Sequence, residues 1–455
     1  MKKTYEPRED FTRYGLLSRA AYYFFLARKP RAAWKHLDDL TAQLAEFDLR
    51  CAARDYNNAA NVIKEIDYDY LLLWGHYRLL IELHLHVKEK ITSKDLQINN
   101  FHILGLVHNY IGKIRKSVEY CQQGLDIARD TKNRLWEGTF LNNLGLNYAA
   151  LGDIRKAIEY YEQALIIARE VGDRKGEGDT LNNLGVTYST LGNVHKAIEF
   201  YEQVLLIDRK IGDRRGEGSY IGNLGNCYSD LGDARKAIEY YEQALVIARQ
   251  IGDLMGQSTN LENTGRAFIS LENYQKAQGN YQQAIQIADE ISSPMVQLNA
   301  RWELAQIYLF QNDLVNARAT IEAALQYDVP QNNHNATALH GIIALRQGER
   351  ETAQEAFIKS IAQADEILAK TPDYYSALDA KGLALCGEVV SGKWEVGSRE
   401  RDEVVAEAVK TFKRAREIAP HAGVIKSVLR LFDELVKCDE EGMLKDVRDA
   451  VEGKS

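Results

Sequence analysis

Proline is nearly absent. Six occur in 455 residues, and none lies between Pro30 and Pro294, so the strongest helix breaker is missing from the middle of the chain. Alternating β-branched runs joined by Asn-Gly turns are missing as well, which leaves no strand signal. Cysteine is sparse. Cys51, Cys121, Cys227, Cys386 and Cys438 are scattered and form no Cys-x-x-Cys pair, which argues against a disulfide framework or a zinc site and points to a reducing compartment. Positive charge is not in excess: 57 Lys and Arg stand against 65 Asp and Glu, a formal net charge of −8. No global basic field exists to hold a nucleic acid or an anionic membrane, so neither is expected as a partner. Long apolar runs are lacking too. The longest near the start, Ala20 to Ala27, sits between Arg19 and Arg28 and is too short to span a bilayer. Met1-Lys2-Lys3 is a charged start, but Arg19 interrupts the apolar core that a signal peptide needs, and the expected location is the cytoplasm.

What is present is helical. Hydrophobic residues make up 45% of the chain, enough for a packed interior. They recur at helical spacing, as in Ala157, Ile158, Tyr161, Ala164, Leu165 and Ala168. The expected fold class is all-α.

The dipeptide Leu-Gly returns at Leu104-Gly105, Leu144-Gly145, Leu184-Gly185 and Leu224-Gly225, and Thr264-Gly265 and Leu304-Ala305 continue the series, each step being 40 residues. Around each mark come a Tyr or His, a turn, a small residue, an aromatic and another small residue. In the second copy these are Tyr148, Gly152, Ala157, Tyr161 and Ala164. Gly145 and Ala157 lack bulk, so two helices can approach closely while Tyr148 and Tyr161 fill the grooves beside them. Gly152-Asp153 suits a tight turn with a capping aspartate, and Gly172-Asp173, Gly212-Asp213 and Gly252-Asp253 suit the turn to the next hairpin. One hairpin cannot bury both faces, so neighbours must stack.

This pattern resembles the tetratricopeptide repeat, in the long form found in kinesin light chains, in spindle-orientation adaptors built of Leu-Gly-Asn repeats, and in the sensor arms of bacterial STAND-type signalling NTPases. The resemblance implies a right-handed α-solenoid over residues 96–330, with the first helix of each hairpin on the concave side. Residues 331–423 read as two degenerate repeats, marked by Gly341, Gly348, Ala353 and Phe357 and then by Gly382, Ala408, Phe412 and Ala415. An inserted, exposed loop is expected near 389–402. Residues 424–455 read as a capping helix and tail. In residues 1–95, Ala32 to Arg54 and Asn57 to Ile66 read as a helical hairpin, and Asp67 to Tyr77 as the start of a helix running to about Glu89. This region resembles the connector of STAND proteins, which would make the chain a sensor whose partner is an NTPase or other effector domain.

Candidate chemistry is thin. Gly387-x-x-x-x-Gly392-Lys393 approaches a phosphate-binding loop, but Trp394 stands where Ser or Thr is needed and no strand precedes it. His84 and His86 sit two apart, on different sides of a helix, with His76 nearby. No hydrolase or metalloprotease signature occurs. No catalytic residue, cofactor or metal is expected, and the chain reads as a non-catalytic scaffold.

The binding signal comes from the resemblance. In the family, groove-lining positions of the first helix lie two, three and six residues before the central Gly and one, four and five after it. Carried over, they give Asn142 and Asn143, Asn182 and Asn183, Asn223, Asn263, Ser189 and Ser229. Such a ladder of Asn can bond the backbone of an extended peptide, or each Asn can tie its helix to the neighbouring repeat. Ile103 and Glu303 break the ladder in the first and sixth copies. Arg134, Arg174 and Arg214, each followed by Glu137, Glu177 or Glu217, invite two readings: arginines that select an acidic ligand, or local ion pairs on solvated turns. Trp302 and Phe310 occupy groove-type positions and form a candidate apolar anchor pocket. The expected partner is a protein or peptide segment in the concave groove. An architectural subunit that assembles through its convex face is the alternative, and a nucleotide regulator using the 387–393 stretch is a remoter one.

Overall fold

The computed structural model describes residues 11–392, 394, 398–419 and 422–454. Among them every regular element is helical. The chain divides into two compact units, Met1–Ile207 and Asp208–Ser455, with the boundary inside the helix Val194–Ile211.

The first unit holds the opening repeats. Lys94–Tyr110 pairs with Ile114–Asp130, and Arg134–Ala150 pairs with Ile154–Val171. The lock within each hairpin is steric. Tyr161 is 1% exposed, and a Cβ added at Gly145 would come within 2.5 Å of its ring, so only glycine admits the aromatic there. In the first hairpin Cys121 takes the place of that ring opposite Gly105. The turns follow from the same economy of bulk. Gly152 has φ +81° and Gly172 φ +71°, a left-handed backbone that side chains disfavour. Asp153 and Asp173 then accept from the backbone N–H groups of Lys156 (3.2 Å) and Gly176 (3.0 Å) and cap the helices that start there.

Ahead of the repeats, the helix Arg13–Leu26 is followed by two short 3-10 turns, Arg31–Ala33 and Leu37–Leu40, and then by Thr41–Ala52. The helix expected from Ala32 therefore begins nine residues later. Asp39 explains the delay, because its carboxylate accepts from the backbone N–H groups of Lys35 (3.0 Å) and His36 (3.3 Å) and holds that segment in a turn. Likewise Asp67 to Tyr77 does not open a helix. It makes a π turn, Asp67–Leu72, reverses at Gly75 (φ +77°) and starts afresh at Tyr77–Val87.

The second unit continues with Arg214–Asp230 and Ala234–Ile251, Leu254–Ser270 and Tyr274–Ile291, and Pro294–Phe310 and Leu314–Ala324. The degenerate hairpins are Asn333–Arg346 with Arg350–Lys370 and Tyr375–Ser391 with Arg399–Ile418, closed by Ala422–Val436. Gly341 abuts Phe357 and Gly382 abuts Phe412 at 2.6 Å from an added Cβ, so the same lock persists. Both ends of the exposed loop expected over 389–402 are helical. Val389 and Val390 are buried in the helix Tyr375–Ser391, within the core that Phe412 and Phe432 share, and Arg399 to Asp402 already belong to the next helix.

Candidate functional site

The asparagines divide by partner. In the first unit Asn142 and Asn143 are adjacent and both partly buried. The Asn142 side-chain oxygen accepts from Asn183 Nδ2 (3.1 Å) and Thr180 Oγ1 (3.2 Å), which ties the second repeat to the third. Asn143 makes no such tie: its Nδ2 is buried and has no hydrogen-bond partner. Both line a cleft of about 300 Å³ with His102, Leu106, Leu135 and Asp179. Asn182 is partly buried on the same helix as Asn183, and Ser189 is half-buried near that helix's end.

In the second unit Asn223 lines a cleft of about 450 Å³ with Asn226, Asn260 and Asn263. Gly218 and Gly222 lie against the same space and leave it open. Asn263 Nδ2 donates to Asn226 Oδ1 at 3.4 Å, again tying one repeat to the next, although Gly222 stands at the position that matches Asn142. Asn226 Oδ1 also accepts from the Tyr241 hydroxyl at 2.8 Å, so the ring that locks the hairpin reaches through to the cleft wall. Ser229 is exposed.

The periodic arginines are local partners. Arg174 donates to Glu177 at 2.7 Å, and Arg214 pairs with Glu217. A second set, absent from the sequence reading, completes each clamp: Arg129, Arg169 and Arg209 donate to Glu137 (3.0 Å), Glu177 (2.8 Å) and Glu217 (2.8 Å). Their signal was available, since each Arg precedes its Glu by eight residues in three successive repeats. The glutamates are buried while the arginines remain about half exposed. Burial favours the neutral acid at Glu177, but the two guanidiniums outweigh it and hold the carboxyl below its usual range. At Glu217 the Arg209 hydrogen bond dominates and acts in the same direction. This is the ion-pair reading of the turn, with Arg174 and Arg214 engaged rather than extended toward a ligand.

Trp302 and Phe310 do not form one pocket. Trp302 lines a cleft of about 480 Å³ with Glu262, Arg266, Glu303 and Tyr375. Phe310, two turns away, packs on Tyr274 with ring centroids 6.4 Å apart.

The remaining candidates have structural explanations. Gly387 lies inside a helix with the Phe357 ring against it, so the first glycine of the phosphate-loop pattern serves packing, while Lys393 lies outside the described residues. His84 is buried, with Nε2 3.6 Å from Asp67 and Nδ1 3.1 Å from the Asn100 amide, whereas His86 is exposed beside Phe47. Among the described residues no three His, Cys, Asp or Glu side chains are grouped to hold a metal. No helix there is long and apolar enough to cross a membrane.

Comparison with known proteins agrees with this architecture. Among curated proteins, none matches the sequence. Among solved structures, a Signal Transduction ATPase with Numerous Domains protein with a tetratricopeptide repeat sensor, from Pyrococcus horikoshii, is similar over 92% of this chain at 18% identity with a TM-score of 0.57. The chain spans 62% of that protein's length. Aspartyl phosphate phosphatase F from Bacillus subtilis is similar over 71% of this chain and 85% of its own, at 14% identity and a TM-score of 0.47. A Rap protein complexed with competence and sporulation factor covers 88% of this chain and 99% of its own, at 15% identity and a TM-score of 0.46. The tetratricopeptide repeat family model matches residues 95–170, 139–210 and 217–290. With the 40-residue period, the Gly–Tyr locks and the capped turns, these segments are tetratricopeptide repeats.

Proposed function

We propose that this protein is a non-catalytic interaction scaffold, which holds an extended protein or peptide segment along the first helices of its repeats. The observation that supports this most is the Asn143 amide. A buried donor without a partner costs free energy, yet Asn143 Nδ2 is left unpaired on the wall of an open cleft, beside an Asn142 whose own carbonyl is satisfied. A backbone carbonyl of a bound segment would complete it, and the Asn-lined cleft around Asn223 and Asn263 offers the same chemistry in the second unit. In this reading the protein works in the cytoplasm, needs no cofactor, and acts as a sensor that passes ligand capture to an effector such as an NTPase.

Affinity capture from the native host tests the reading. The Asn143→Ala/Asn223→Ala variant should lose a partner that the wild type retains while keeping its hydrogen-exchange protection in both repeats. Retention of every partner by that variant would refute it. Assembly through the outer face is the second reading, favoured by Ile166 and Leu206, each 58% exposed on second helices of the first unit. Sedimentation of wild type and Ile166→Ser/Leu206→Ser separates the two, since only the assembly reading predicts a fall in mass.

A further inference from the structure

The cleft around Trp302 differs in chemistry from the two that asparagines line. Three carboxylates border it: Glu262, Glu303 and Asp379. Asp379 is balanced by the buried guanidinium of Arg416. Glu262 accepts from Ser258 Oγ at 3.2 Å. Arg266 is the remaining cation, and it makes no ion pair among the described residues but donates to Asn263 Oδ1. Two carboxyl groups therefore face one guanidinium, and one of them has no cationic partner.

One donor points the same way. Trp302 Nε1 is buried on the cleft wall with no hydrogen-bond partner. An unpaired indole donor calls for an acceptor oxygen, while the surplus carboxyl group offers a seat for a cation.

From this geometry we infer that the cleft receives a lysine or arginine side chain of a bound protein segment: the cation between Glu262 and Glu303, its stem against Trp302, and the residue's backbone carbonyl accepting from the indole N–H. The aromatic wall adds a favourable surface for the cation. Burial raises the Glu262 carboxyl to about 7 and the Glu303 carboxyl above its usual range, so an arriving cation relieves a real electrostatic cost. The inference rests on the scaffold reading only for the carrier of the cation.

The test uses the full chain, isotope-labelled at its tryptophan indoles and titrated with N-acetyl-lysine methylamide, the Trp302 signal being assigned through Trp302→Phe. The Trp302 indole resonance should move. N-acetyl-norleucine methylamide, which keeps the stem and loses the charge, should bind about tenfold more weakly. Glu303→Gln and Glu262→Gln should each weaken the lysine derivative by a similar factor. An unmoved Trp302 resonance, or an equal response to the norleucine derivative, overturns the inference in the wild-type protein, Trp302→Phe serving only to assign the signal. Failure here with partner capture still sensitive to Asn143→Ala would sink the cleft assignment alone. Binding of the lysine derivative with no captured partner would sink the scaffold reading alone.

Discussion

Asn142 and Asn143 are neighbours in sequence, and the structure gives them separable roles. Asn142→Ala removes the acceptor for two hydrogen bonds, from Asn183 Nδ2 and Thr180 Oγ1. Each such neutral bond contributes about 0.5–1.5 kcal/mol net. The loss is softened because Thr180 Oγ1 also donates to Gly176 O at 2.7 Å and keeps that bond. Asn183 is only partly buried and can turn to water. A cost of about 1 kcal/mol results, with about 0.5 kcal/mol of coupling to Asn183→Ala in a double-mutant cycle. Asn143→Ala deletes a donor that bonds nothing, so stability should change by less than about 0.5 kcal/mol while partner capture falls. With two compact units, global unfolding is a poor gauge. Hydrogen exchange read by mass spectrometry on peptides covering 134–190 reports the local opening free energy instead. Asn142→Ala should speed exchange there about fivefold, and Asn143→Ala should leave it unchanged. Equal acceleration by both variants would refute the division of roles.

Glu177 is held below the usual carboxylate range by Arg169 and Arg174, against its burial. A depressed folded-state pKa adds stability that is present above the unfolded value and is lost as pH falls through the folded one. Glu177→Gln should therefore flatten the acid limb of a stability–pH curve below about pH 4.3, by about 0.5 kcal/mol because the arginines are half exposed; an unchanged acid limb would contradict the clamp. Glu272 occupies the turn position that glycine fills in earlier repeats and takes φ +59°. Glu272→Gly should stabilise the second unit by about 0.5–1 kcal/mol, read as a rise in its denaturation midpoint. Burial pushes the Cys51 and Cys121 thiols up to about 12 and Cys227 to about 11, and Cys386 is fully buried. A thiol reagent should label Cys438 first in the native protein, and rapid labelling of Cys386 would contradict its placement in the core.

Where a residue's neighbour lies one hairpin away, the sequence discloses the contact. Gly145 with Tyr161 and Asp153 at its turn recur at fixed spacing, and the hairpins follow. The arginine clamps were half visible, because the eight-residue partner Arg169 lies across a turn and its helix ends differently from the one that carries Arg174. The hairpin expected over Ala32–Arg54 and Asn57–Ile66 is there as Thr41–Ala52 and Tyr56–Lys64, but its start comes late because Asp39 captures backbone donors ahead of Thr41, a side-chain effect that helical spacing does not report. Gly387 makes room for Phe357 within an unbroken helix, a packing need that its near phosphate-loop spacing does not reveal. The Trp302 cleft was legible only in part. Glu262 and Trp302 stand one 40-residue step apart, but Tyr375 and Val424, which complete its walls, keep no such spacing.

The clamps carry a consequence for how the molecule gives way. Each buried glutamate bonds two arginines that precede it, one by eight residues and one by three, and each Gly–Tyr lock closes over sixteen residues. Ties this short link nearest neighbours and little else, so contact order within each unit's repeats is low and loop closure is inexpensive. Under tension such a chain should peel hairpin by hairpin, in a sawtooth of similar steps, and rewind as readily when released.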